Sequence, residues 1–403
     1  SLKMVSHLLN DSLEKDKAAF DAAVAKAQEV IAREANYGLA NNSVNQDMEA
    51  TINGYATTYA DGYKQFNGKE LTLEEQMEHF MNFPGIVAED KYTRAILRMA
   101  MLNSMSQAQV KLAKSDKDAA ARMQDDINKA FREMTNEFKP ADLTNFICVQ
   151  VGNFEVNYAR RLNNQSMRNE EAETALTYFE QAITRGGEYV DEAKLGKANA
   201  LGLTDDKAKQ TESAELFESL AASQNPDIAG PALMGLTKLH MATGNYGEAV
   251  KCAKRYEDAN IRVGRKDMQL ISAEALAKNG QLDDAIAVYS NLYQDMGNIR
   301  YSAPACKALM EVYWQRNNPS TGDRLAGTFK PSDRWRAWNS GQVYVNKIRQ
   351  SKLEAKMTPD DRDRWNEVVT ALGQYAADSA VQREDKEGKA FQAQIGAGKK
   401  KKK

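Results

Sequence analysis

Two stretches of this chain, 36 residues apart, repeat one pattern, and that repetition restricts the fold more than any other feature. The first runs Leu233-x2-Leu236-x7-Gly244-Asn245-Tyr246-x2-Ala249-x6-Tyr256. The second runs Gln269-x2-Ser272-x7-Gly280-Gln281-Leu282-x2-Ala285-x3-Tyr289-x2-Leu292. On both sides of each glycine, apolar and small residues recur at three- and four-residue steps, the period of a helix, a turn and a second helix. A unit this short cannot bury its apolar face alone, so copies have to stack. The rest of the chain agrees with a helical reading. It has eight prolines in 403 residues, against roughly 5% in an average protein, and almost nothing alternates with the period of a strand.

With this spacing the two units resemble the tetratricopeptide repeat, whose period is about 34 residues with small side chains where paired helices touch. Ala249 and Ala285 match the small position of that family's second helix. Ala273 matches the small position of the first helix, where the other unit has Thr237. Weaker copies flank them. Ala175-x3-Phe179-x2-Ala182 reads as a second helix, preceded by a first helix around Phe154 to Leu162 and separated from it by an enlarged polar loop. Leu195-Gly196 with Ala200 reads as the next first helix, completed by Ala214-x2-Phe217-x2-Leu220 after an insertion at Asp205 to Gln210. Ala303 to Gln315 reads as a further first helix. The resemblance implies an all-α fold, a right-handed α-solenoid of antiparallel helix pairs, over residues 140–317. A helical N-terminal region would occupy 1–139, a loop and capping helices 318–382, and a disordered lysine-rich tail 383–403.

Outside the repeats the expectations are plainer. One amphipathic helix is predicted from Asp11 to Asn36, then a loop to Asn45. A helix from Gln46 to Phe66 follows, with Tyr55, Tyr59 and Tyr63 on one face. Thr72 and Glu75 form a capping box before a short helix ending near Phe83-Pro84-Gly85. A hairpin of helices spans 89–113 and 116–138, broken at Lys114-Ser115, and Pro140 suits the first turn of the next helix. Beyond the loop 317–331, Trp335, Trp338, Tyr344, Val345 and Ile348 suggest a cap. Thr358-Pro359-Asp360-Asp361 starts a helix predicted to reach about Val381.

Chemistry leaves few marks. His7, His79 and His240 have no partner at metal-ligand spacing, and Cys148, Cys252 and Cys306 are far apart and odd in number. No phosphate-cradling glycine loop or nucleophile elbow occurs, since Gly396-Ala397-Gly398-Lys399 lies in the tail. No catalytic residue, metal or cofactor is therefore expected. The tyrosine row reads as core, with stacking on a sugar or peptide as the alternative. A net charge of −2, from 54 basic and 56 acidic side chains, argues against a general nucleic-acid binder. No apolar run approaches the length of a membrane helix. Lys399–Lys403 reads as solvated charge, with weak contact to an anionic surface as the alternative.

The resemblance implies a non-enzymatic scaffold or adaptor that binds a protein or peptide partner along the concave face of the array. In the family that face comes mainly from first helices. Here the matching residues are Lys197, Met234, Lys238, Met241, Leu270, Glu274 and Lys278, which would otherwise pack between repeats. The alternative is an enzyme or substrate-processing factor with its site in residues 1–139. The Ser-started sequence and its Asn- and Tyr-rich region around 36–67 favour a mature exported bacterial protein, and the resemblance to helical-repeat proteins implies a periplasmic envelope or transport assembly. The unpaired thiols favour the cytoplasm.

Overall fold

The computed structural model describes residues 2–40, 46–72, 75, 78–79, 82–85, 91–113 and 116–400. Among them the chain is all-α, and an isolated bridge between Thr321 and Lys330 is the nearest thing to a strand. The helices are α1 (Leu2–Leu13), α2 (Lys17–Ala40), α3 (Gln46–Asn67), α4 (Lys91–Leu112), α5 (Lys117–Glu137), α6 (Asn145–Arg161), α7 (Gln165–Arg185) and α8 (Val190–Leu201). They continue as α9 (Lys207–Ala221), α10 (Pro226–Ala242), α11 (Tyr246–Asp258), α12 (Arg265–Lys278), α13 (Leu282–Gln294), α14 (Ile299–Arg316), α15 (Asp333–Gln350), α16 (Pro359–Ala376) and α17 (Ser379–Lys400). The chain divides into two units, Ser1–Ser213 and Ala214–Lys403. The boundary falls inside α9, within the segment 140–317.

In the second unit the two sequence repeats become α10–α11 and α12–α13. Gly244 and Gly280 both take left-handed conformations, φ +76° and +82°. After each glycine an N–H bonds back over the helix end, Asn245 to the His240 carbonyl at 2.8 Å and Gln281 to the Leu276 carbonyl at 2.9 Å. This arrangement satisfies carbonyls that a helix end leaves open, and a residue with a Cβ would strain it. Ala249, Ala273 and Ala285 are all fully buried. Thr237 is tolerated at the equivalent of Ala273 because its hydroxyl donates back to the Leu233 carbonyl at 2.7 Å. Each helix packs on its successor, and α10 also packs on α12, α12 on α14, and α14 on α16. Helices packed on both the next and the next-but-one neighbour are what a stacked helical repeat requires.

The first unit uses a related device. Phe179 of α7 is fully buried. A Cβ on Gly152 of α6 or Gly196 of α8 would come within 2.6 Å or 2.1 Å of its ring. In the second unit Phe217 faces Gly235 of α10 in the same way, at 2.4 Å. A second-helix phenylalanine thus enters a notch that glycine leaves in the next first helix.

Several sequence expectations are corrected. Asp11 to Asn36 is two helices, because Asp16 accepts the Ala19 N–H at 2.8 Å and starts α2 afresh. That helix runs on to Ala40, and 41–45 lie outside the described residues. The link between α6 and α7 is three residues rather than an enlarged loop; Asn164 caps α7 by accepting the Met167 N–H at 3.0 Å. Pro140 opens a short 3-10 turn, and the following helix starts from Thr144. The helix from Thr358 stops at Ala376, where Asp378 accepts the Ala380 and Val381 N–H groups and starts α17. Residues 383–400 are therefore helical, anchored by buried Val381 and by Glu384, which accepts hydrogen bonds from Ser332. Lys401–Lys403 and the break at Lys114-Ser115 lie outside the described residues. The capping box is present: Thr72 N–H donates to Glu75 at 2.8 Å, and Glu75 N–H to Thr72 at 3.2 Å.

Candidate functional site

The seven residues expected on a binding face divide by environment. Lys197 of α8 is internal wiring. Its ammonium lies 2.9 Å from Glu212 and 3.3 Å from Glu180, with the side chain only 20% exposed. Met234 of α10 is half-buried, its sulfur 3.1 Å from where a Cβ on Gly264 would stand. Leu270 of α12 is half-buried against the cluster of Ala273, Ala285 and Tyr289. Lys238, Glu274 and Lys278 are exposed, and Met241 is half-buried.

Six of the seven lie on α10 and α12, which pack against each other. Met234, Lys238 and Met241 follow each other by four and three residues, and Leu270, Glu274 and Lys278 by fours, so each trio shares one helix face. Met234 matches Leu270 across the 36-residue offset, and Lys238 matches Glu274. Each trio sets half-buried apolar residues beside exposed charge, Lys238 on α10 and Glu274 and Lys278 on α12.

The tyrosine row is not a stacking platform. Tyr55 is fully buried, its hydroxyl 2.8 Å from His79 Nε2. Tyr59 stacks on the His79 ring at 3.9 Å, and Phe83 meets Tyr55 edge-on at 5.6 Å. Burial pulls the His79 imidazole down to about 4 and pushes the Tyr55 hydroxyl well above its ordinary value. The ring is neutral at physiological pH and serves packing. The cysteines are equally quiet. All three are buried and unpaired, and burial raises each thiol, Cys148 to about 11. None is a thiolate at neutral pH. Among the described residues no cluster of three or more His, Cys, Asp or Glu side chains could hold a metal ion.

One acidic residue escaped sequence reasoning. Glu155 of α6 is 2% exposed, and its Oε2 has no hydrogen-bond partner. Burial first, and then the charge of Glu171, hold its carboxyl well above the usual range, with Arg132 opposing them. Arg132 itself donates to Glu171 at 2.7 Å and lies over the Tyr158 ring at 4.7 Å. The one signal in the sequence was a carboxylate four residues from both Val151 and Ala159, in the middle of a buried stripe. A folded-state value above the unfolded one makes this acid destabilising once the unfolded chain ionises. Stability should therefore fall as pH rises from the ordinary carboxylate range towards the raised folded value, by about 1.4 kcal/mol for each pH unit of that interval. Glu155→Gln is expected to abolish that slope and melt above wild type at pH 8. Parallel pH–melting curves would reveal an unchanged slope if Glu155 were not its source.

Comparison with known proteins adds little to this geometry. No family model matches the chain, and no curated protein matches it in sequence. Among solved structures the chain is similar to a signal-transduction ATPase with numerous domains, carrying a tetratricopeptide repeat sensor, from Pyrococcus horikoshii. The TM-score is 0.42 and the identity 12%, over 90% of this chain. The chain spans about half of that structure's length, 55%. No described helix is long and apolar enough to cross a membrane.

Proposed function

We propose that the chain is a non-enzymatic scaffold that holds a protein or peptide partner on the face shared by α10 and α12. The observation that carries this reading is the repeat-matched pattern of that face. By register, exposed Lys238 on α10 and exposed Glu274 and Lys278 on α12 share their helix faces with half-buried Met234, Met241 and Leu270. Both helices are buried on their other sides through Leu233, Leu236, Ala273 and Ala275. The pattern is therefore carried on a backbone that is already ordered and loses little freedom on binding. Spaced charges around an apolar base suit an amphipathic segment with complementary charges. Lys197 belongs to no such face, because its charge is already met by two carboxylates.

Exchanging two of these charges gives the test. Glu274→Lys combined with Lys278→Glu leaves net charge unchanged and alters an i,i+4 pair worth about 0.2–0.5 kcal/mol. Affinity capture from the native cell should recover partners with the wild type that the doubly substituted protein recovers at least tenfold less, while both melt alike. Retention of the same proteins by both would overturn the reading.

A further inference from the structure

The loop between α14 and α15 is long for a helical repeat and carries its own internal hydrogen bonds. Thr321 and Lys330 exchange backbone hydrogen bonds of 3.0 and 2.7 Å. Above them the Thr328 N–H donates to the Asp323 carbonyl at 3.0 Å, and the Asp323 N–H to the Thr328 hydroxyl at 2.9 Å. Gly322 is required at the bend, with φ +78° and only 2.3 Å between a would-be Cβ and the Thr328 carbonyl oxygen. Long loops in compact domains are disproportionately functional.

Between this loop, the start of α15 and the last helix α17 lies an open cleft of about 410 Å³, within the range of small-ligand sites. Phe329, Pro331 and Trp335 give it apolar walls. Arg324 lies with its guanidinium 3.5 Å from the centre of the Phe329 ring. Its Nη1 is 3.6 Å from where a Cβ on Gly388 of α17 would stand, so the cation is held between an aromatic face and a bare stretch of helix.

The charges that line the cleft sum to zero, Arg324 and Lys389 against Glu384 and Asp385, but they are not paired one to one. Glu384 spends both carboxylate oxygens on Ser332, accepting its N–H at 2.9 Å and its hydroxyl. Asp385 is paired with Lys389 at 2.6 Å. Arg324 has no carboxylate within ion-pair distance among the described residues. One unspent guanidinium beside aromatic and proline walls calls for one carboxylate carried on an apolar body, because the planar fork matches a carboxylate in two hydrogen bonds.

We propose that this cleft is a binding site for an aromatic or branched apolar carboxylate, whose acid group meets Arg324 and whose body lies against Phe329, Pro331 and Trp335. A free aromatic acid and a peptide chain ending in an aromatic residue both offer this chemistry. The site is separate from the α10–α12 face.

The test uses three probes in isothermal titration calorimetry with the full chain: 3-phenylpropanoate, 3-phenylpropanamide, and N-acetyl-Leu-Leu-Phe with a free carboxylate. The acid should bind at least tenfold more tightly than the amide, and Arg324→Gln should erase that difference. Lys330→Gln removes the same charge from the same loop without lining the cleft, and should leave binding unchanged. Tripeptide binding tenfold tighter than the simple acid identifies a chain terminus as the ligand, and the reverse order a free acid; either supports the site. Equal binding of acid and amide, or equal losses in Arg324→Gln and Lys330→Gln, would overturn it. Arg324 is a half-exposed loop residue, so the variant should melt with wild type, which a thermal scan verifies.

Discussion

Replacing Phe179 with alanine is expected to cost the unit Ser1–Ser213 about 3–5 kcal/mol, the range for removing a large aromatic side chain from a core. The position favours the upper part of that range. The ring is fully buried and lies between Gly152 on α6 and Gly196 on α8, so close that a single methyl on either glycine would overlap it. Neither glycine has a side chain that could swing into the vacated space, and the cavity would persist. The same ring holds together three consecutive helices, each packed on the other two, so the loss should spread to the neighbouring pair interfaces. Met167→Ala, on the same helix but 47% exposed, should stay within about 0.5 kcal/mol of wild type. Denaturant unfolding of both variants, with amide exchange over α6–α8, is the measurement. A Phe179→Ala protein as stable as Met167→Ala would mean that the two glycines close over the gap.

How much of this could be read beforehand depends on how local its cause is. The turns at Gly244 and Gly280 were legible because their hydrogen bonds need a left-handed residue at one fixed place, and glycine announces it. Ala249 and Ala285 were legible for a similar reason, since close approach of two helices leaves room for little else. The restart at Asp16 was not, because an N-cap aspartate without a neighbouring glycine or proline resembles any polar residue on a helix surface. The polar stretch before Ala175 looked like a loop, although it is the outer face of α7 capped by Asn164. The helical state of 383–400 depends on Glu384 reaching Ser332, 52 residues earlier in the chain, which no local pattern displays. The exposure of Lys238, Glu274 and Lys278 follows from helix register alone. The neutralisation of Lys197 by Glu180 and Glu212 did not, because it requires three helices to be in place. Arg324 was invisible for the same reason, since its role depends on Phe329 and Gly388 arriving on either side of it.

Arg316→Ala is expected to cost the unit Ala214–Lys403 about 3–5 kcal/mol at neutral pH, the range for breaking a buried ion pair by removing one partner. Arg316 ends α14, and Asp333 begins α15. The guanidinium donates to both carboxylate oxygens, at 2.8 Å through Nε and 2.7 Å through Nη2, and also to exposed Asp283. Asp333 is 1% exposed, and after the substitution it would retain the Asn318 N–H at 2.9 Å and the weaker influence of the Arg336 charge. Burial works to raise this carboxyl. In the wild type the hydrogen bonds from Arg316 and from the Asn318 N–H outweigh burial and hold the carboxyl below its ordinary value. The sign follows. A lowered folded value contributes stability that is complete above the unfolded value of about 4 and is lost as pH falls through the folded one. Without Arg316 burial prevails, the carboxyl rises, and the variant should gain stability relative to wild type as acid neutralises Asp333. The difference between the two proteins should therefore be largest near pH 7 and narrow steadily below about pH 5. Asp333→Asn in the Arg316→Ala background should recover part of the loss at pH 7, because the amide keeps an acceptor for Asn318 without a buried charge. Urea titrations of the single and double variants at pH 7 and pH 4 would decide it. A difference that stays constant with pH would place the cost of Arg316→Ala in lost packing over the Tyr313 ring, 5.4 Å from the guanidinium, rather than in the stranded carboxylate.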